Sequence, residues 1–209
     1  MSAPRPLQNR VDPYGELCAV AERGRLMGNR GGRLHDEARA IGRRRWTNKT
    51  WIACVCEFKG RQREVFGAGY TELFFRDEPT ALAAGHRPCF ECRRDEAQAF
   101  QSAFPKASSS ARLRAPEMDA RLHAERLDAE RLRRPLRLSE LPDGAMVVWR
   151  ESPHLLAGGR LWPWSFADYG APQPFSADAA AAAITPAAIL AALKGGYRPR
   201  PEGTPLGLS

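Results

Sequence analysis

The sequence predicts an α+β protein: a small N-terminal module, then a charged helix, then a β-rich C-terminal unit with a closing helix. Three observations carry this. β-branched and aromatic runs of strand length recur at Thr50 to Phe58, Tyr70 to Phe75 and Ala145 to Trp149. Short helix patterns that open on proline lie between them. Five cysteines in 209 residues include two closely spaced pairs, Cys54 with Cys56 and Cys89 with Cys92.

Taken in order, residues 1–13 read as an irregular arm with three prolines, and Glu16 to Ala21 as a short strand. Arg23 to Arg33 is rich in glycine and arginine. The strand Thr50 to Phe58 turns at Lys59-Gly60 into the strand Tyr70 to Phe75. Asp77-Glu78-Pro79 then opens a short helix, since an acid suits the cap and proline the first turn. Gly85 closes it, as glycine does just past a helix end. A second helix is expected over Arg94 to Phe104. Ser108-Ser109-Ser110 marks a connector, and Pro116 starts a longer helix that Pro135 must stop. Leu141-Pro142-Asp143-Gly144 is a turn before the strand Ala145 to Trp149. Leu155 to Phe166 supplies one or two more strands, and Thr185-Pro186 begins a last helix ending at Gly195-Gly196. The expected regions are therefore 1–105, 106–135 and 136–209. One echo links two of them: Gly85-His86-Arg87-Pro88 and Gly196-Tyr197-Arg198-Pro199 each follow an alanine-rich helix.

Apolar residues make up 43% of the chain, which is globular composition. No apolar run approaches the ~20 residues needed to span a bilayer, and the first residues lack the apolar stretch of a secretion signal. A cytoplasmic location without membrane partners is expected. The formal charge is +8, and it is one-sided: residues 1–68 hold 14 Lys+Arg against 7 Asp+Glu, while the rest of the chain is nearly balanced. Such a bias suits a polyanion, nucleic acid above all. The candidate contacts are Arg30, Arg33, Arg43, Arg44, Arg45, Arg87, Arg93 and Arg94. The glycine-rich segment Arg25 to His35 also has the composition of an anion-binding loop.

Cys89 and Cys92, in Pro88-Cys89-Phe90-Glu91-Cys92-Arg93, have the spacing at which two thiolates bind one tetrahedral Zn²⁺. Cys54 and Cys56 stand two apart in an expected strand and so share a face. Four thiolates from that face and the knuckle would close the site, giving a zinc-supported N-terminal module. His35 is the alternative upstream ligand, and Cys18 reads as a core residue. Asp119 and His123 share a helix face four residues apart. With His35 they form an alternative, enzymatic polar centre acting on nucleic acid or nucleotides. The aromatic residues Trp149, Trp162, Trp164, Phe166 and Tyr169 are expected to pack a small β core. A third reading is a structural or assembly protein whose zinc replaces missing core.

The run Phe74-Phe75-Arg76-Asp77-Glu78-Pro79-Thr80-Ala81-Leu82-Ala83-Ala84-Gly85-His86-Arg87-Pro88-Cys89-Phe90-Glu91-Cys92-Arg93 resembles the second half of an Ada-type metal-binding domain. The likeness spans about residues 70–94. It implies a small zinc domain that contacts DNA, with a role in DNA repair or modification. In the repair member of that family four cysteines bind zinc, and the first accepts a methyl group from a backbone phosphotriester. In chain order Cys54 would be that acceptor, and Cys56, Cys89 and Cys92 the remaining ligands. The family separates its first pair by three residues, where this chain has one. Related domains use a His and a Cys upstream, which keeps His35 as a candidate.

Overall fold

The computed structural model describes residues 5–61, 64–106 and 112–200. The serine connector 108–110, residues 1–4 of the N-terminal arm and residues 201–209 of the tail lie outside them. The chain builds two sheets with helices between and beside them, an α+β arrangement.

The first sheet is formed by β1 (Arg10–Val11), β2 (Leu17–Cys18), β3 (Leu26–Asn29), β4 (Ile52–Val55), β5 (Leu73–Phe75) and β6 (Arg87–Pro88). Their order is β2-β1-β5-β3-β4-β6. Most pairs are antiparallel, but β6 runs parallel to β4, with Ala53 opposite Pro88. The glycine-rich segment Arg25 to His35, expected as an anion-binding loop, instead contributes β3, and all four residues of that strand are buried. Gly28 is what permits this. A Cβ there would lie 2.2 Å from the Ile52 carbonyl oxygen and 2.7 Å from the Phe75 ring. The backbone N–H of Gly31 donates to Asn29 Oδ1, and the segment closes on Thr47 and Asn48 rather than opening to a ligand.

Helix α1 (Glu78–Ala83) links β5 to β6. Asp77 caps it, accepting from the Thr80 N–H at 3.0 Å, and Pro79 sits in the first turn. Helices α2 (Arg94–Ala103) and α3 (Ala115–Leu127) follow. Helix α3 stops well before Pro135: Asp128 caps it and starts a 3₁₀ turn over Ala129–Arg133. The second sheet holds β7 (Pro135–Arg137), β8 (Met146–Trp149), β9 (Ser152–Ala157), β10 (Arg160–Pro163) and β11 (Ala180–Ala183), in the order β10-β9-β8-β11-β7. Helix α4 (Ala187–Lys194) closes the chain. No helix among the described residues is long and apolar enough to cross a membrane.

Helix α1 is buried on every side, and that decides how the pieces meet. Its Leu82 packs with Phe100 of α2, Met118 and Leu122 of α3, and Ile189 and Leu193 of α4. Its Ala83 packs with Met146 and Leu155 of the second sheet and with Tyr169 of the loop between β10 and β11. The tryptophans of that region serve the core as expected: Trp162 and Trp164 pack against this cluster, and the Trp164 indole donates to Thr80 Oγ1 at 2.9 Å.

The sequence echo has a local cause. After α1, the Gly85 and His86 N–H groups donate to the carbonyls of Leu82 and Ala81. After α4, those of Gly196 and Tyr197 donate to Leu193 and Ala192. Both glycines have positive φ, +81° and +101°. This is one way of ending a helix, a left-handed residue with reversed 5→2 and 6→1 hydrogen bonds, used twice.

Candidate metal centre

The parallel register of β4 and β6 builds the centre. Because Ala53 faces Pro88, the next residues along the two chains, Cys54 and Cys89, are brought side by side. The Cys89 N–H donates to the Ala53 carbonyl at 3.0 Å, extending the ladder by one step. The chain then turns tightly: the Arg93 N–H donates to the Cys89 carbonyl at 3.0 Å, and the Glu91 N–H to Cys89 Sγ at 3.4 Å. That turn returns Cys92 to the same point.

The three Sγ atoms of Cys54, Cys89 and Cys92 lie within 4.8 Å of one another. Zinc-bound thiolates, at roughly 2.3 Å from a tetrahedral metal, stand about 3.8 Å apart. The cluster is close to that spacing, its donors are soft sulfurs, and it can hold a metal ion. Cys54 and Cys89 are only 7% and 8% exposed, and Met27, opposite Cys54 on β3, packs over them. The open side faces a cleft of about 210 Å³ lined by Asn29, Tyr70, Arg61 and Glu91 among others. Arg61 and Glu91 pair at its mouth, 2.7 Å apart.

The thiols perturb one another. Donation from the Cys54 and Cys92 thiols pulls the Cys89 thiol down, so Cys89 is the first to lose its proton. That same bond to Cys89, then the one to Cys92 and burial, push the Cys54 thiol up. A cation that displaces the remaining protons turns this proton-sharing cluster into a set of thiolate ligands.

Cys56 is not a fourth member. Strand β4 ends at Val55, so the alternation that would place Cys56 beside Cys54 is lost. Its exposed Sγ lies 3.4 Å from the Arg25 carbonyl, although the residue still lines the cleft. His35 is elsewhere. Its ring stacks on Phe66 at 4.5 Å, and its Nδ1 and Nε2 are engaged by Thr71 Oγ1 (2.7 Å) and the Gly67 carbonyl (3.1 Å). Cys18 is half-buried, paired in register with Arg10.

The alternative polar centre does not assemble. Both carboxylate oxygens of Asp119 are taken by Arg87, at 2.8 and 2.9 Å, and Oδ2 also accepts from Thr50. His123 points instead at Trp46, edge-on at 5.4 Å between ring centroids. With His35 bound to Thr71, the three residues serve three separate places.

The expected arginine surface divides in two. Arg30, Arg87 and Arg93 are buried and do not face solvent. Arg87 pairs with Asp119, and Arg93 with buried Glu78 at 2.7 Å, where Tyr197 also donates. Arg30 lies over the Trp51 ring, 3.9 Å from its centroid. These arginines end or follow structured turns, and nothing in their sequence context separates a buried ion pair from a phosphate contact. Arg33, Arg43, Arg44 and Arg94 are exposed, and Arg45 is half-buried. Met27 and Tyr70 of the metal cleft were not anticipated. The only sequence signal for Met27 is its place in the strand paired with β4.

Comparison with known proteins returned no match to any family model, curated protein or solved structure. The site's own geometry therefore defines the class: an α+β protein with a three-cysteine centre joining strand β4 to a knuckle.

Proposed function

We propose that this is a zinc protein that binds nucleic acid through the exposed arginines of its N-terminal third. The observation that carries the metal is the convergence of three cysteine sulfurs, from two segments of chain, within 4.8 Å. Soft thiolates favour zinc over hard cations. The metal's role is structural: it ties β4 to the knuckle and fixes the start of α2. Cys54 lies under Met27, which argues against its attacking a phosphotriester and for a ligand without methyl transfer.

The polyanion reading is supported by Arg33, Arg43 and Arg44. All three are exposed, and none takes part in an ion pair among the described residues. Nucleic acid, probed first as duplex DNA, is the partner that best suits so many uncompensated guanidiniums on one third of the chain. The experiment is binding of labelled duplex and single-stranded DNA over a salt series, with and without prior zinc removal. Affinity should fall steeply with salt. Absence of binding at low salt to either substrate would leave the purely structural zinc protein.

A further inference from the structure

Buried arginines in this protein normally come with a carboxylate. Arg76 pairs with Asp168 at 2.7 Å, Arg87 with Asp119 at 2.8 Å, and Arg93 with Glu78 at 2.7 Å. Two guanidiniums, one buried and one half-buried, break the pattern. Arg30 is 1% exposed, and Arg126 is largely covered; none of the ion pairs among the described residues includes either. Both lie against one indole, with their Cζ atoms 3.9 and 4.1 Å from the Trp51 ring centroid. Two cations packed on one ring repel each other, and cation–π attraction offsets only part of the desolvation.

These residues line one cleft of about 130 Å³, with Tyr14, Gly15, Glu16, Arg45, Trp46, His123 and Arg131. The cleft has room for several waters or one tetrahedral oxyanion. Three polar atoms of its wall are buried without a hydrogen-bond partner: Arg126 Nη1, Arg131 Nε and His123 Nδ1. Buried polar atoms are almost always satisfied, so three orphans around one cleft call for an acceptor. The remaining donors hold the frame in place. Arg30 Nη2 donates to the Gly15 carbonyl at 2.7 Å, Arg126 Nε to the Leu122 carbonyl, and Arg131 Nη1 to carbonyls at the end of α3. Gly85 leaves space for the Arg126 stem, since a Cβ there would lie 2.6 Å from Arg126 Cγ. Glu16, at the exposed rim, is the one carboxylate lining the cleft.

We propose that this cleft, between the turn joining β1 to β2 and helix α3, binds a phosphate-type oxyanion: inorganic phosphate or a phosphomonoester group. The anion takes the place that a carboxylate fills beside the other buried arginines. It accepts from Arg126, Arg131 and His123, and its charge is balanced by Arg30 and Arg45. The half-buried Trp46 and Arg45 form the cover and admit it by rotation of their side chains. Burial and then repulsion from Arg126 push the Arg30 pKa down to about 9, and burial pushes that of Arg126 to the same level, so both remain charged at neutral pH. The cleft stands apart from the metal centre, and anion binding there does not depend on the metal.

The test titrates the full-length protein with inorganic phosphate, by calorimetry and by ³¹P resonance broadening, against chloride at equal ionic strength. Two variants are compared with wild type, Arg126→Met, which keeps an unbranched stem on Trp51, and Arg131→Met. Phosphate should bind wild type and bind each variant at least tenfold more weakly. In phosphate-free buffer Arg126→Met should melt no lower than wild type, because it removes an uncompensated charge. Oligonucleotides with and without a 5′-phosphate then compete for the site. Displacement at tenfold lower concentration by the phosphorylated strand assigns the anion to a nucleic-acid end, displacement by neither strand assigns it to free phosphate or a small monoester, and equal displacement by both would show a phosphodiester site and overturn the monoester assignment. No phosphate binding beyond the chloride control, or binding unchanged in both variants, would overturn the proposal.

Discussion

Arg87 and Asp119, thirty-two residues apart, meet in the interior through two charge-assisted hydrogen bonds, Nε to Oδ1 at 2.8 Å and Nη2 to Oδ2 at 2.9 Å. The pair ties β6, and so the residue two before Cys89, to helix α3. An arginine that precedes a cysteine knuckle thus supports the metal cluster from behind.

Asp119→Ala should therefore destabilise the protein by about 3–5 kcal/mol, the cost of leaving a buried charge unmatched. Arg87→Met combined with Asp119→Leu should recover most of that loss, since both charges then leave the interior together. Chemical denaturation of the single and double variants measures both. Equal loss in the double variant would mean that packing, not charge, holds this junction.

Gly28→Ala probes the opposite wall. A methyl group 2.2 Å from the Ile52 carbonyl must part β3 from β4, and Cys54 moves with β4. The expected outcome is a severe fall in melting temperature together with weakened metal binding. Retention of both would show that β4 holds Cys54 in place without β3.

The strands around Cys54 and the α1 helix were legible because their signals are local: a β-branched run, an Asp cap, a proline in the first turn, a closing glycine. Cys89 and Cys92 were legible from spacing alone. What escaped was non-local. Cys54 was expected at the knuckle from its strand face, but what brings it there is the parallel register of β4 with β6, and Cys56 drops out because that strand ends one residue earlier. β3 was hidden by its glycine, which lowers strand propensity but is required where two backbones approach. β11 is four alanines, a residue depleted in strands, yet it pairs on both edges. The burial of Arg30, Arg87 and Arg93 depends on partners 15 to 32 residues away.

Acid should weaken the fold through His86. Burial, then the charges of Arg30 and Arg126, hold its pKa well below the usual imidazole value, so the native state keeps it neutral. Between that lowered pKa and about 6.5 the unfolded chain binds the extra proton. Its contribution is full above about pH 6.5 and is lost as pH falls through the window. Denaturation midpoints from pH 8 to 5 should fall, and His86→Phe should flatten that slope. An identical slope in the variant would assign the acid sensitivity to other groups.

The exposed arginines give a graded expectation for nucleic acid. Replacing Arg33, Arg43 and Arg44 with alanine should weaken duplex DNA binding similarly on all sequences. The salt slope should fall by roughly 0.9 for each phosphate no longer neutralised. The melting temperature should not move, since none of the three is buried. An unchanged salt slope would exclude this surface from DNA binding.

The most direct measurement is metal content with sulfur coordination, made on protein purified without a histidine tag, by elemental analysis and X-ray absorption at the zinc edge. One zinc per chain is expected, with at least three sulfur ligands at roughly 2.3 Å. Cys54→Ser, Cys89→Ser and Cys92→Ser should each lose the metal, while Cys56→Ser should keep it. A protein that carries no metal, and whose melting curve is indifferent to chelator and to these substitutions, would contradict a zinc centre at these three cysteines.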